Sequence, residues 1–222
     1  MKVLIIPRGR TCAALALAVL TSMACQPIPL HPGYVDLTPH DKRGGDFSCT
    51  FGGLGGNMGG YGGVQLGVEP NLTEQLSLPI GLLGGLGGGF GTGVGIVARV
   101  GLRYKVMDTV VIGGGLGGGF YGVSGSTTGD IDVNYASLAG GLHLDIEAAF
   151  GRRWNNIGLS VATRPTFEAL SHTLYIPVEI ALAFYISKRR AITLHAFGGP
   201  FLWDMSALGG WGGGAIGLLY QF

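Results

Sequence analysis

Apolar and polar residues alternate along several segments of this chain. In the segment 94–106 every even position is apolar, whereas the odd positions include Arg99, Arg103 and Lys105. The same parity recurs in three later segments, 138–148, 174–186 and 192–196. Successive side chains of a β-strand point to opposite faces, so each segment would gather its charges on one face. On a helix the same charges would be spread around the axis. The pattern therefore predicts strands that have one apolar and one charged face.

Strict alternation over about ten residues, repeated between turn residues, is typical of strands in a transmembrane β-barrel. A closed barrel also satisfies every backbone donor and acceptor inside a bilayer. The predicted fold class is all-β, a closed antiparallel transmembrane barrel over residues 46–222. Ten strands are predicted, at 46–56, 58–69, 75–88, 93–106, 109–123, 133–150, 156–167, 173–187, 191–203 and 210–222. Gly blurs the alternation in the first three, so a barrel of eight strands is the alternative.

An even number of strands puts both ends of the barrel on the periplasmic side. Periplasmic turns are then predicted at 69–74, 107–108, 151–156 and 188–190. Aromatic residues are expected to form two girdles at the membrane interfaces. The predicted inner girdle contains Tyr104, Phe150, Trp154, Phe184, Tyr185 and Tyr220, and the outer one Phe90, Phe120, Tyr121, Tyr175, Phe201, Trp203 and Trp211.

The composition favours a lipid-facing protein. Charged residues make up 12% of the chain, about half the usual share, while 47% of residues are hydrophobic and 44 are Gly. A helical alternative must be weighed, because 76–98 holds no charge and carries Gly81, Gly85, Gly89 and Gly93 at the spacing of packed membrane helices. Such a Gly-zipper protein would oligomerise through close helix contacts. However, nine of these 23 residues are Gly and one is Pro79, which disfavours a helix.

The first 24 residues have the features of an export signal. Lys2, Arg8 and Arg10 precede the apolar stretch 12–24, which is too short to span a bilayer comfortably. Removing these three basic residues leaves 11 basic against 13 acidic residues. We predict a signal peptide at 1–24, a Pro-rich periplasmic tether at 25–45, and the barrel after it.

The residue that follows the signal peptide leaves two alternatives open. Ala24-Cys25 resembles a lipoprotein lipobox, in which Cys25 would take the lipid, but Ser22 stands where that pattern has Leu. The other alternative is ordinary cleavage before Cys25, with Cys25 and Cys49 as the two mature cysteines in an oxidising compartment. Spacing alone does not decide whether they pair.

The C-terminal segment 212–222 resembles the C-terminal signal of bacterial outer-membrane barrels. That pattern has a Gly, a hydrophobic residue three positions later and a terminal aromatic, matched here by Gly217, Tyr220 and Phe222. Ala215 departs from the polar residue often found two positions before the Gly. The resemblance covers about ten residues and implies an outer-membrane location and, as a partner, the barrel-assembly machinery.

The charged face of the strands is the candidate functional site. The residues predicted to point into the lumen are Arg99, Arg103, Lys105, His143, Asp145, Glu147, Arg164, Glu168, Glu179 and His195, with Gln65 and Glu69 as additional candidates. Acids and bases nearly balance, and buried charges need partners. We predict a salt-bridged lumen with a structural or narrow-pore, porin-like role.

Other chemistry has little support in the sequence. A lipid-modifying hydrolase would need Ser, His and a carboxylate, for which His143 or His172 with Ser171 are the candidates, but no Ser has a nucleophile context. The trio His143, Asp145 and Glu147 could hold a metal, yet neighbouring Arg residues explain it equally well. We therefore predict no catalysis, no cofactor, no metal and no nucleic-acid partner, and the lipid bilayer as the environment.

Overall fold

The alternating segments form β-strands, as their parity requires. The computed structural model describes residues 44–56, 59–88, 92–127, 133–169, 172–203 and 207–222. Their strands are β1 (Gly45–Gly56), β2 (Gly59–Pro70), β3 (Leu76–Ser77), β4 (Ile80–Gly88), β5 (Thr92–Met107), β6 (Val110–Thr127), β7 (Val133–Trp154), β8 (Ile157–Thr163), β9 (Thr166–Glu168), β10 (Thr173–Tyr175), β11 (Val178–Ser187), β12 (Arg190–Trp203) and β13 (Ala207–Gln221). The predicted signal peptide, Cys25 and most of the tether lie outside the described residues.

Three proline residues divide single barrel strands into two segments each. Pro79 separates β3 from β4, Pro165 separates β8 from β9, and Pro177 separates β10 from β11. A proline has no N–H to give to the sheet, so it interrupts the ladder of hydrogen bonds. Its carbonyl still accepts, since the N–H of Gly101 donates to Pro79 at 2.9 Å. The thirteen segments therefore make ten barrel strands, which confirms the ten-stranded prediction over the eight-stranded alternative.

The first and last strands close the ring. Every pairing is antiparallel, and β1 pairs with both β2 and β13. The register of the closing pair runs from Asp46 opposite Gln221 to Gly56 opposite Trp211. At its end the N–H of Phe222 donates to Gly45 O at 2.9 Å, and the N–H of Gly45 donates to Phe222 O at 3.2 Å. The sheet thus forms a closed barrel.

One rim of the barrel, here called the terminal rim, holds both ends of the sheet and four connections between strands. These connections are 71–75, 108–109, 155–156 and 188–189. The loop predicted at 151–156 is wrong in extent, because β7 continues to Trp154 and the turn consists of Asn155 and Asn156. Asn155 has φ 50°, a left-handed conformation that Asn tolerates well and that allows this tight turn.

The two faces of the barrel differ as the alternation predicts. Large apolar side chains such as Leu142, Ile146 and Ile186 are exposed on the outside. Tyr104, Phe150, Trp154, Phe184 and Tyr220 are exposed too and lie near the terminal rim, as predicted. The girdle prediction is wrong for the remaining described side chains, because Tyr175, Tyr185, Phe201 and Trp211 occupy inward positions. Phe90 and the side chains of Phe120, Tyr121 and Trp203 lie outside the described part.

The helical alternative for 76–98 is not supported. Its described residues, except Leu78 and Pro79, belong to β3, β4 and β5. No helix that could cross a membrane occurs in the part of the chain that the structure describes.

Candidate functional site: the charged lumen

Strand β6 separates the arginines from most of their carboxylate partners. Arg99 and Arg103 point inward from β5, and Asp145 and Glu147 point inward from β7. Between these strands β6 contributes inward glycines at positions 113, 115 and 117. Each arginine can therefore lie flat across a strand that has no side chain there. A Cβ added at Gly115 would come within 2.7 Å of the Arg99 guanidinium.

Arg99 and Asp145 form a two-pronged ion pair. Arg99 Nε donates to Asp145 Oδ2 and Nη2 donates to Oδ1, both at 2.6 Å. This fork geometry is the strongest that a guanidinium and a carboxylate can make. Both side chains are almost fully buried, so water screens the pair very little.

Glu147 is the centre of a larger network. Arg103 donates to both of its oxygens, from Nη2 to Oε1 at 2.6 Å and from Nε to Oε2 at 3.1 Å. Arg164 donates to Oε1 at 3.2 Å, and Arg99 Nη2 lies 3.6 Å from Oε2. Because Arg164 stands between β8 and β9, these contacts join β5 and β7 to the next strand along the wall.

The network extends to the terminal rim through Glu69. Arg103 Nη1 donates to Glu69 Oε2, and the Ser77 hydroxyl donates to Glu69 Oε1 at 2.5 Å. Lys105, predicted to lie in the lumen, is only half-buried, and its Nζ lies 3.5 Å from the exposed Asp108. It therefore belongs to the rim.

A second buried cluster lies on β11 and β12. His195 Nδ1 is 2.5 Å from Glu179 Oε1, and its Nε2 is 2.7 Å from Thr193 Oγ1. With Nδ1–H donating to the carboxylate, Nε2 accepts from the Thr193 hydroxyl. The order of atoms is that of a hydroxyl, imidazole and carboxylate triad. A Cβ at Gly217 would meet Thr193 Oγ1 at 2.7 Å, so the wall packs closely against this hydroxyl.

His143 and Glu168 face each other across a strand pair. Their Cα atoms are directly opposite in the register of β7 and β9, and Glu168 is only 1% exposed. A Cβ at Gly141 would collide with Glu168 Oε1. Among the described residues His143 Nε2 has no hydrogen-bond partner, and a cavity of about 10 Å³ lies beside it.

Aromatic rings occupy other parts of the lumen. The rings of Tyr175 and Phe201 have their centroids 6.1 Å apart, and those of Phe197 and Trp211 are 6.0 Å apart. These rings lie toward the rim opposite the terminal one. Near the terminal rim the Arg153 guanidinium carbon lies 3.4 Å from the centre of the Tyr185 ring, which is a cation–π contact.

A small cavity lies within the charged network. A cavity of about 60 Å³ lies beside the three guanidinium groups, with room for a few water molecules. Its polar lining consists of Asp46, Ser48, Gln65, Glu69, Arg99, Arg103 and Arg164. Within the described ranges no group of His, Cys, Asp or Glu is arranged to hold a metal ion.

Three side chains in the lumen were not predicted from the sequence. Ser77 and Thr193 hold the carboxylate Glu69 and the imidazole of His195, and Arg153 covers Tyr185. Parity marks Thr193, because it lies two residues from His195 on the same strand. No sequence signal marks Ser77, since Pro79 disturbs the alternation of its strand.

The three residues of the C-terminal signal have different surroundings. Gly217 is buried on the lumen side, whereas Tyr220 and Phe222 are exposed on the outside of the closing strand. Cys49, the cysteine within the described residues, is free and lies between the outward-facing Leu66 and Leu218.

The solved structures to which this chain is similar include bacterial membrane barrels. The translocator domain of the autotransporter NalP from Neisseria meningitidis matches with a TM-score of 0.54 and 13% identity, over 96% of this chain and 97% of that one. The outer-membrane protease OmpT from Escherichia coli matches with a TM-score of 0.48 and 10% identity, over 86% and 99%. The N-terminal barrel domain of OprF from Pseudomonas aeruginosa matches with 0.40 and 11%, over 80% and 99%. No protein-family model and no curated protein matches the chain.

At this identity the likeness to the NalP domain shows a shared fold. The chain has the fold of bacterial outer-membrane β-barrels, and its exterior is apolar, as contact with lipid requires. Fold and exterior together place the barrel in a bacterial outer membrane.

Proposed function

We propose that the protein is a structural outer-membrane barrel whose lumen is closed by its own side chains. The observation that carries this proposal is the network around Glu147, which three arginines contact from both sides of β7: Arg99 and Arg103 across β6, and Arg164 from the break between β8 and β9. Each charge has an opposite partner, so nothing about the network requires a transported ion to complete it. The aromatic rings in the lumen support the same conclusion.

The direction of the barrel in its membrane belongs to this proposal. Both ends of the sheet lie at the terminal rim, and an even number of strands puts both ends of an outer-membrane barrel on the periplasmic side. The terminal rim would then be periplasmic, with 1–24 as the signal peptide and 25–45 as the tether. Phe222, Tyr220 and Gly217 would present the closing strand to the assembly machinery, and mass analysis of the mature N-terminus tests lipidation of Cys25.

Recording in planar bilayers tests whether the lumen conducts. We expect the wild-type barrel to show no stable conductance steps. The triple variant Arg99→Ala, Arg103→Ala, Arg164→Ala removes the side chains that fill the lumen and is expected to conduct. Lys105→Ala is the matched control, since it removes a cation from the rim, and it should stay silent. Circular dichroism establishes that each variant is folded.

A narrow pore is the alternative role for the same residues. Stable steps in the wild type, with an ion preference that changes in Glu147→Gln, would establish it and refute the closed lumen. The second cluster does not favour catalysis. Thr193 is 2% exposed, and in the described part of the chain the backbone of β12 around it is paired on both sides with β11 and β13, so this backbone offers no free N–H for a developing oxyanion.

A further inference from the structure

The terminal rim is divided by charge into two sides. On one side the exposed residues Arg152, Lys188, Arg189 and Arg190 surround the turns 155–156 and 188–189. This group is called the basic arc. The chain has no acidic residue from 148 to 167, nor from 180 to 203, so these two turns carry no acidic side chain. The other side carries the exposed acids Glu74 and Asp108.

The two turns of the basic arc are neighbours on the rim. One joins β7 to β8 and the other joins β11 to β12, and β8 pairs directly with β11. The four cations therefore lie on one continuous part of the barrel. Arg153 is excluded from the arc, because its guanidinium lies on the inward Tyr185 ring.

Two of these arginines make cation–π contacts with aromatic rings of the lipid-facing surface. The Arg152 guanidinium carbon lies 5.6 Å from the centre of the Trp154 ring, and that of Arg190 lies 5.9 Å from Tyr220. Both rings are exposed on the outside, where Phe184 and Ile186 continue the apolar surface between them. The guanidinium groups therefore stand at the boundary between apolar surface and water.

This arrangement matches the two parts of a lipid. An acyl chain can lie against the exposed apolar surface while a phosphate reaches the cations above it. A zwitterionic headgroup would bring its own cation to the arc, whereas an anionic one brings a net negative charge. We propose that the basic arc binds the headgroups of anionic phospholipids in the leaflet next to the terminal rim.

Fluorescence quenching tests the proposal at the arc itself. In a Trp203→Phe, Trp211→Phe background, Trp154 is the single reporter and lies beside Arg152. The barrel is folded into phosphatidylcholine vesicles that contain brominated phosphatidylglycerol or, at equal mole fraction, brominated phosphatidylcholine. Both leaflets have the same composition, so the result does not depend on orientation. We expect the anionic lipid to be enriched roughly three- to fivefold at Trp154 and the enrichment to fall at high salt.

A charge-removal variant provides the decisive comparison. Replacing all four cations of the arc by Gln should bring the enrichment to one, whereas Lys105→Gln, a cation outside the arc on the same rim, should leave it unchanged. Equal quenching by both lipids in the wild type would overturn the proposal, as would enrichment that survives the fourfold replacement. Displacement of the lipid by soluble glycerol phosphate would identify a general phosphate site and would equally refute a lipid site. None of these outcomes depends on whether the lumen conducts.

Discussion

Glycines of the inner face and several glycines of the outer face of this barrel have opposite surroundings. Inside, a Cβ at Gly115 would lie 2.7 Å from the Arg99 guanidinium and 2.8 Å from the carbonyl oxygen of Val100. Outside, a Cβ at Gly55, Gly84 or Gly210 would meet no atom within 4 Å. Close packing therefore requires glycine at the inner Gly115, whereas the barrel's own packing does not require it at the outer Gly55, Gly84 and Gly210. Other outer glycines are constrained by the sheet backbone, since a Cβ at Gly198 would lie 2.7 Å from the carbonyl oxygen of Trp211.

The difference shows what the inner glycines do for the charges. An arginine reaches a carboxylate two strands away only if the strand between them has no side chain at that level. Gly115 and Gly117 provide this space between Arg99 and the inward face of β7. The ion pairs depend on the glycines beneath them, because a side chain at position 115 would occupy the space of the Arg99 guanidinium group.

The largest effect is expected from Gly115→Val. The new side chain would displace Arg99 from Asp145 and leave a buried charge without its partner, which costs about 3 kcal/mol or more. Reversible urea unfolding in lipid vesicles, followed by tryptophan fluorescence, measures the free energy of unfolding. A loss below about 1 kcal/mol would show that Arg99 can move aside and that the glycine is not needed.

Removing the arginine should reduce that effect. In an Arg99→Ala background the guanidinium is absent, and a Val at position 115 then meets chiefly the Val100 carbonyl oxygen. We expect a coupling free energy of about 1–2 kcal/mol in the double-mutant cycle. Additive costs would mean that the glycine accommodates backbone and not the ion pair.

A smaller loss is expected at the inner Gly217. An Ala there would bring its Cβ to 2.5 Å from Thr50 Cγ2 and 2.7 Å from Thr193 Oγ1, and small rotations relieve part of this contact. The expected loss is about 1 kcal/mol. Unfolding of purified protein measures it without the assembly machinery, and adding Thr50→Ala should recover part of it. If Thr50→Ala recovers nothing, the strain lies elsewhere.

The smallest effect, with the opposite sign, is expected from Gly84→Val on the outer face. The side chain enters open space between the exposed Leu82 and Leu86, and Val restricts the unfolded chain more than Gly does. We expect a gain of about 0.5 kcal/mol in the same unfolding measurement. A clear loss would mean that Gly84 is under a constraint that its open surroundings do not show, and its contrast with the inner Gly115 would disappear.

Alternation along the chain predicted the later strands and placed their charges on the inner face, but Gly blurred it in the first three strands. It failed as a guide to strand continuity at Pro79, Pro165 and Pro177, because apolar parity carries no information about a missing N–H. At Tyr175 and Tyr185 the predicted aromatic girdle and the alternation gave different directions for the side chain. Both side chains point inward, as the alternation predicts. Lumen geometry outweighed the general preference of aromatic residues for interfaces.

The partners within the lumen could not be predicted in the same way. Parity places Arg99 and Asp145 on the inner face but does not say that they meet. Their contact depends on the register of two successive strand pairs and on the length of the arginine side chain. The shared role of Glu147 depends further on Arg164, which reaches it from the break between β8 and β9.

The hydrogen bonds between Gly45 and Phe222 have a consequence for how the ring is made. The two strands that meet there are the farthest apart along the described chain, so their pairing closes the longest loop in the molecule. Contacts of such high sequence separation form slowly, since loop-closure entropy must be overcome first. Until they form, the sheet is an open ribbon with two unpaired edges, each able to join a neighbouring chain instead of its own. A longer time spent as this ribbon therefore gives more opportunity for pairing with another chain before the ring closes.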